Sequence, residues 1–391
     1  MRYISVGERR ARLGVRHLLV EAGRVGSPEG VADSLVALHG TDPATVYLAV
    51  GARLADPAGT VGETGRALYE DRTLVRMHGM RHTVFVFPVA LTAVVHASTG
   101  LTVAARERAS LVKDMVKAGA PDAAWLKDVE ESALAALARR GQATAAELAE
   151  DEPRLREQFV YAAGKRYEGI HTVSTRLLRV LGVEGKVVRG RPLGSWTSSQ
   201  FRWAVAPPHP ELEPAAAQAE LLRRWLAVCG PATEADLKWW TGWKVTDVRR
   251  ALTAIGAEQV SVDEGPAYVV AGDDGPVADP AEPWAAFLPG LDPTAMGWQQ
   301  RDWYLAPELR PPLFDGSGNV GPTVWWNGRV VGGWGQRADG SVVWRLLDTE
   351  GLGREAEEAI ATEAERLQGW LGATRVTPRF RTPLEKELAA S

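Results

Sequence analysis

The feature that most constrains the fold of this chain is a threefold recurrence of helical sequence followed by a short pair of strands. The first copy opens with an amphipathic run at residues 9–21, carrying Leu13, Val15, Leu18 and Leu19 on one face. A second helix follows the Ser27-Pro28-Glu29 start signal, with Val31, Leu35 and Leu38 aligned, and a third follows Pro43. Strand-like sequence then covers residues 74–87, where Thr83-Val84-Phe85-Val86-Phe87 is rich in β-branched and aromatic residues. The second copy places helices at 123–140, 143–148 and 172–181, and strands at 186–191 and 200–205. The third places helices at 215–228, 233–240 and 244–255, and strands at 259–262 and 267–270. Helices closed by a hairpin form the winged-helix arrangement.

A Pro/Gly/Asp-rich segment at 272–283 reads as a linker. Beyond it, strands at 323–326 and 329–333 flank Asn327-Gly328, a strong hairpin signal, before a third strand at 341–346 and a helix at 355–371. The expected fold class is therefore α+β and mainly helical: three tandem winged-helix units and a small C-terminal β-hairpin/helix unit. The corresponding divisions are 1–110, 111–210, 211–272 and 273–391, a size that favours several units over one core.

Composition narrows the class. The chain of 391 residues is 45% hydrophobic and 24% charged, as in an ordinary globular protein. Cys229 is the single cysteine, which excludes an intramolecular disulfide and any multi-cysteine zinc site and suits a reducing cytoplasm. The opening MRYISVGERR does not read as a signal peptide, and Pro88, His96 and Gly100 interrupt the most apolar stretch, 84–103, so no membrane association is expected. Net charge is −4, yet residues 153–204 hold ten Lys/Arg, Lys165 and Arg166 among them, against three acids. Asp273-Asp274 and the run 279–282 supply acidic loops further on.

One hexapeptide concentrates chemistry: Leu38-His39-Gly40-Thr41-Asp42-Pro43 places an imidazole, a hydroxyl and a carboxylate within four positions. It reads as a helix end followed by a turn, with Asp42 capping the helix that Pro43 opens. On local sequence this is a capped turn as readily as a site.

The ordered set of motifs resembles the winged-helix family of bacterial DNA glycosylases typified by AlkZ and YcaQ. The matching stretches are 38–43, Met80-Arg81-His82-Thr83, 175–203, Gly230-Pro231-Ala232-Thr233, 288–293 and 318–323. The resemblance implies cleavage of the N-glycosidic bond of alkylated N7-purine or crosslinked bases in double-stranded DNA. The family's motif reads Leu-Gln-x-Gln-Asp-Pro; here His39 and Thr41 replace the two Gln, while Asp42-Pro43 matches. His39, Thr41 and Asp42 are accordingly the catalytic candidates. A neutral His39 can orient or deprotonate water, Thr41 offers a hydroxyl, and Asp42 can support cationic charge unless its capping role occupies it.

DNA contacts are expected from Arg81 and His82 at the first wing. In the second wing they are expected from Arg189, Arg191, Trp196, Ser198 and Arg202, where cationic flanks would track phosphates around an apolar tip. The pairs Trp239-Trp240 and Trp325-Trp326 fit packing better than base stacking. His78 and His82 share a metal-ligand spacing, but Gly79 follows where a zinc helix needs Glu. No Gly-Lys-Ser/Thr phosphate loop is present. No metal and no cofactor are expected, and a cytoplasmic, nucleoid-associated monomer fits. Two other readings stay open: a winged-helix DNA-binding protein without catalysis, and a hydrolase of another N-glycoside.

Overall fold

The computed structural model describes residues 1–117, 122–161, 164, 168–278, 280 and 282–391; Lys165 and Arg166 of the basic segment, with 279 and 281 of the acidic run, lie outside them. One order of elements occurs three times: helix, two-residue strand, helix, helix, hairpin. In the first unit these are Pro28–Ser34, Leu38–His39, Pro43–Gly51, Thr60–Tyr69, Leu74–His78 and Val84–Pro88. In the second they are Ala123–Arg140, Gln142–Ala143, Ala145–Asp151, Val173–Val183, Val187–Pro192 and Phe201–Val205. The third comprises Pro214–Cys229, Ala232–Thr233, Glu234–Thr241, Val245–Ala254, Glu258–Val262 and Gly265–Val269. Each sheet is antiparallel, with the last strand central between the two-residue strand and the middle strand. Three winged helices thus follow one another.

The structure corrects the first unit in two places. The helix after Pro28 stops at Ser34, because Val36 adopts φ 65° and cannot continue it, so Leu38–His39 is a strand rather than a helix end. The third helix of the unit is Thr60–Tyr69, and Val6–Arg16 stands outside the motif, packed on Pro214–Cys229. Three glycines, at 59, 62 and 65, dilute the helical pattern there.

A hairpin, Gln158–Tyr161 with Gly169–Thr172, is inserted between two helices of the second unit. The units are joined by a helical run, Val89–Lys117, which includes a π-turn at His96–Gly100 and packs on Pro214–Cys229 and Val173–Val183. By length and composition alone this run is apolar enough to cross a membrane, and half of its apolar window is buried in the protein.

The C-terminal region forms a four-stranded antiparallel sheet in the order Ala285–Leu288, Thr323–Trp326, Arg329–Gln336, Val342–Leu346. Asn327 and Gly328 both take positive φ, as a two-residue hairpin turn requires. Helix Arg354–Leu371 covers the sheet. The largest core draws Leu13, Phe85, Trp225, Trp298 and Trp325 from distant parts of the chain into one cluster. Arg53, fully buried, forms a bidentate pair with Asp292 and also donates to Thr294, tying the first unit to the approach of the C-terminal sheet.

Candidate active site

The hexapeptide sits at a meeting point. His39 lies opposite Phe85 in the first wing's sheet and meets its ring edge-on at 5.2 Å between centroids. Gly40 donates its N–H to the Val84 carbonyl. A Cβ at Gly40 would lie 3.1 Å from the Phe85 carbonyl carbon and 3.4 Å from Arg76 Nε, so the close approach of the strands favours glycine. His39 and Thr41 line an open cleft of about 580 Å³. Its other walls come from the first wing (His78, His82), the helix Val173–Val183 (Thr175, Arg179), the second wing (Arg189, Trp203) and the C-terminal region (Asn319, Arg379).

His39 is only 6% exposed, and its Nδ1 is buried without a hydrogen-bond partner. Burial first, then the positive charges of Arg81 and Arg76, push its pKa down to about 3, so the ring is neutral at neutral pH. His78 behaves alike: burial, then Arg189 and Arg179, push it down to about 3. Thr41 is half-buried at the cleft wall. Asp42 does not face the cleft. Its Oδ1 accepts the Ala44 N–H at 3.1 Å, capping Pro43–Gly51, and its Oδ2 accepts the Arg379 N–H at 2.9 Å. Both oxygens are occupied by backbone, so the carboxylate holds the turn and a distant segment together.

The cleft is strongly cationic. Arg189 lies over the Phe201 ring at 4.4 Å, and burial together with the charges of Arg76, Arg379 and Arg179 lowers its pKa to about 10. Arg179 stands 3.7 Å from Glu107, which also lies 3.5 Å from His82 Nδ1. The His82 hydrogen bond, then Arg179 and Arg176, hold Glu107 below the usual carboxylate range.

The sequence-based DNA contacts divide. His82 and Arg189 line the cleft. Arg81, Arg191, Trp196, Ser198 and Arg202 do not, and each has a partner within the chain. Arg81, in the left-handed region at φ 53°, places its guanidinium over the Trp239 ring at 3.9 Å. Arg191 pairs with Glu70 at 2.6 Å, and Arg202 with Glu147 at 3.0 Å. Trp196 packs against Tyr47 and Trp370, with centroids at 5.1 and 6.3 Å. Ser198 accepts the Gln200 N–H within the wing. The apolar second-wing tip thus covers apolar surface of its own chain, because burying an indole outweighs exposing it. Sequence reasoning missed Arg179 and Arg379 as cleft residues. Arg179 had a signal in the basic segment; Arg379, 337 positions from Asp42, had none.

A protein-family comparison matches residues 32–370 to the family described as DNA glycosylase AlkZ-like. The chain belongs to the AlkZ-like DNA glycosylase family. Among solved structures, Streptomyces sahachiroi DNA glycosylase AlkZ shares the fold at a TM-score of 0.71, covering 97% of this chain and 100% of that one at 21% identity. No curated protein matches the sequence. Family membership makes this chain a DNA glycosylase acting on damaged DNA. The AlkZ-like fold accounts for why residues from both ends of the chain converge on one cleft.

Proposed function

We propose that this protein hydrolyses the N-glycosidic bond of N7-alkylated or crosslinked purines in duplex DNA, using water as nucleophile at His39. The observation that carries the reading is a neutral imidazole beside a hydroxyl, His39 and Thr41, on the wall of a cleft supplied with Arg179, Arg189 and Arg379. An N7-alkylated purine already carries positive charge and leaves without prior protonation. Water oxygen bonds to the anomeric carbon as the C1′–N9 bond breaks, and the electron pair departs with the base. His39 accepts a hydrogen bond from that water and orients it, and the proton that water loses passes to solvent. Thr41 orients that water, and the arginines hold the phosphates flanking the sugar. Asp42 is a positioning residue in this scheme. His82 supports the phosphate side of the cleft next to Glu107.

The reaction needs neither metal nor nucleotide, and this reading has a monomer acting on chromosomal DNA in the cytoplasm. Incubation with duplex containing N7-methylguanine or an N7-linked crosslink tests it by release of free base. Release that is lost in both His39→Ala and Thr41→Ala, with duplex binding retained, supports the scheme. Binding without release from any lesion by the unaltered protein would instead favour a DNA-binding role without catalysis.

A further inference from the structure

A second cavity, a groove of about 700 Å³, lies between the first and second wings, with Arg189 lining both it and the cleft. Strands Leu74–His78 and Val187–Pro192, each an edge of its own sheet, run along its sides. The walls are mainly apolar and include Leu74, Met77, Val89, Val187, Pro207 and Pro208. Groove volume and apolar walls are those of a small-molecule site rather than of a surface that tracks a duplex backbone.

Its charged groups are of one sign. No Asp or Glu is among the described residues that line it, whereas Arg72, Arg76 and Arg189 do and none of the three forms an ion pair among the described residues. Arg76 is the decisive member. It is 5% exposed, its Nε is buried with no hydrogen-bond partner, and its side chain makes no ion pair or hydrogen bond among the described residues. The Asp42 carboxylate is near enough to favour the Arg76 charge, but its oxygens are taken up by two backbone N–H groups and it forms no ion pair with Arg76, so a ligand that brings an anion recovers part of the cost of burying the guanidinium. Arg191 and Arg202, the groove's other cations, are already neutralised by Glu70 and Glu147.

We propose that this groove binds an organic anion with an apolar body, an aryl or alkyl carboxylate whose head reaches Arg76 and Arg189 while its body lies on the apolar walls. The proposal stands independently of the catalytic scheme, since it requires no base release.

Isothermal titration calorimetry on the full chain tests it with three probes: biphenyl-4-carboxylate, its neutral amide, and inorganic phosphate. The carboxylate is expected to bind one to one, with the amide and phosphate each at least about tenfold weaker. A hydrogen bond to a charged group has a typical worth that corresponds to about ten- to a hundredfold in affinity. Arg76→Met should therefore cost the carboxylate about that factor and leave the amide unchanged. Ala93→Trp, which fills the groove without touching a charge, should abolish binding of both aromatic probes. Should Arg76→Met melt far below the unaltered protein, the acid–amide ratio and Ala93→Trp decide alone. Equal affinity for acid and amide, phosphate binding as tightly as the acid, unchanged binding in a folded Arg76→Met or Ala93→Trp, or no heat from any probe would each overturn the assignment.

Discussion

The Asp42 carboxylate receives the Arg379 backbone N–H at 2.9 Å while its other oxygen caps the helix that starts at Pro43. One side chain thereby fixes both the turn carrying His39 and Thr41 and the segment that delivers Arg379 to the cleft. Removing it breaks two connections. A helix cap contributes about 1 kcal/mol and a further hydrogen bond to a carboxylate about 1.5–3 kcal/mol, so Asp42→Ala should lose about 2–4 kcal/mol of stability. Asp42→Asn, which keeps acceptor capacity, should lose less. Denaturant midpoints at unchanged slope measure both.

Stability should fall with acidity in a defined window. Burial is the main cause that pushes His17, His39 and His78 each down to about 3 from an ordinary value of 6.5. The unfolded chain therefore binds protons between those values that the folded chain does not. The stabilisation is fully present above pH 6.5 and is lost as pH falls toward 3. Thermal midpoints at pH 7, 6, 5 and 4 should decline progressively, and a flat series would contradict the burial of neutral imidazoles.

Salt dependence separates the cleft arginines from those engaged elsewhere. Arg179→Ala, Arg189→Ala and Arg379→Ala should each reduce the slope of log affinity against log salt by about one. Arg81→Ala should leave the slope unchanged, because that guanidinium already covers Trp239. Duplex binding titrated at several salt concentrations distinguishes the two groups.

Trp196 is expected to matter for folding and not for DNA. Its contacts with Tyr47 and Trp370 hold the second-wing tip against the first unit and the C-terminal helix. Since the indole is half-buried, Trp196→Ala should cost about 2–3 kcal/mol, less than a fully buried aromatic. Duplex affinity of the folded variant should stay within about twofold, a change too small for a lost base contact, typically about 1–3 kcal/mol.

Much of this architecture was legible in the sequence where local chemistry decides it. Ser27, Asp42 and Thr233 announce helix starts, and each caps one in the structure. Asn327-Gly328 announces a hairpin and forms one. The two-residue strands Leu38–His39, Gln142–Ala143 and Ala232–Thr233 are too short to show any periodicity, and only pairing with a distant strand makes them strands. At the site, the composition of 38–43 marks a junction, but which side chain faces open space is set by partners far away. Asp42 turns from the cleft because Arg379 supplies a donor, and Arg191 and Arg202 lie outside the cleft where Glu70 and Glu147 reach them.

The central claim is that His39 acts on water in base release, and single-turnover kinetics on N7-methylguanine duplex test it most directly. His39→Ala should slow release by about 10²-fold, the cost of a misplaced nucleophile, without weakening duplex binding. His39→Gln, which restores the residue of the related family motif, should recover most of the rate. A His39→Ala protein that releases base at the unaltered rate would contradict the account.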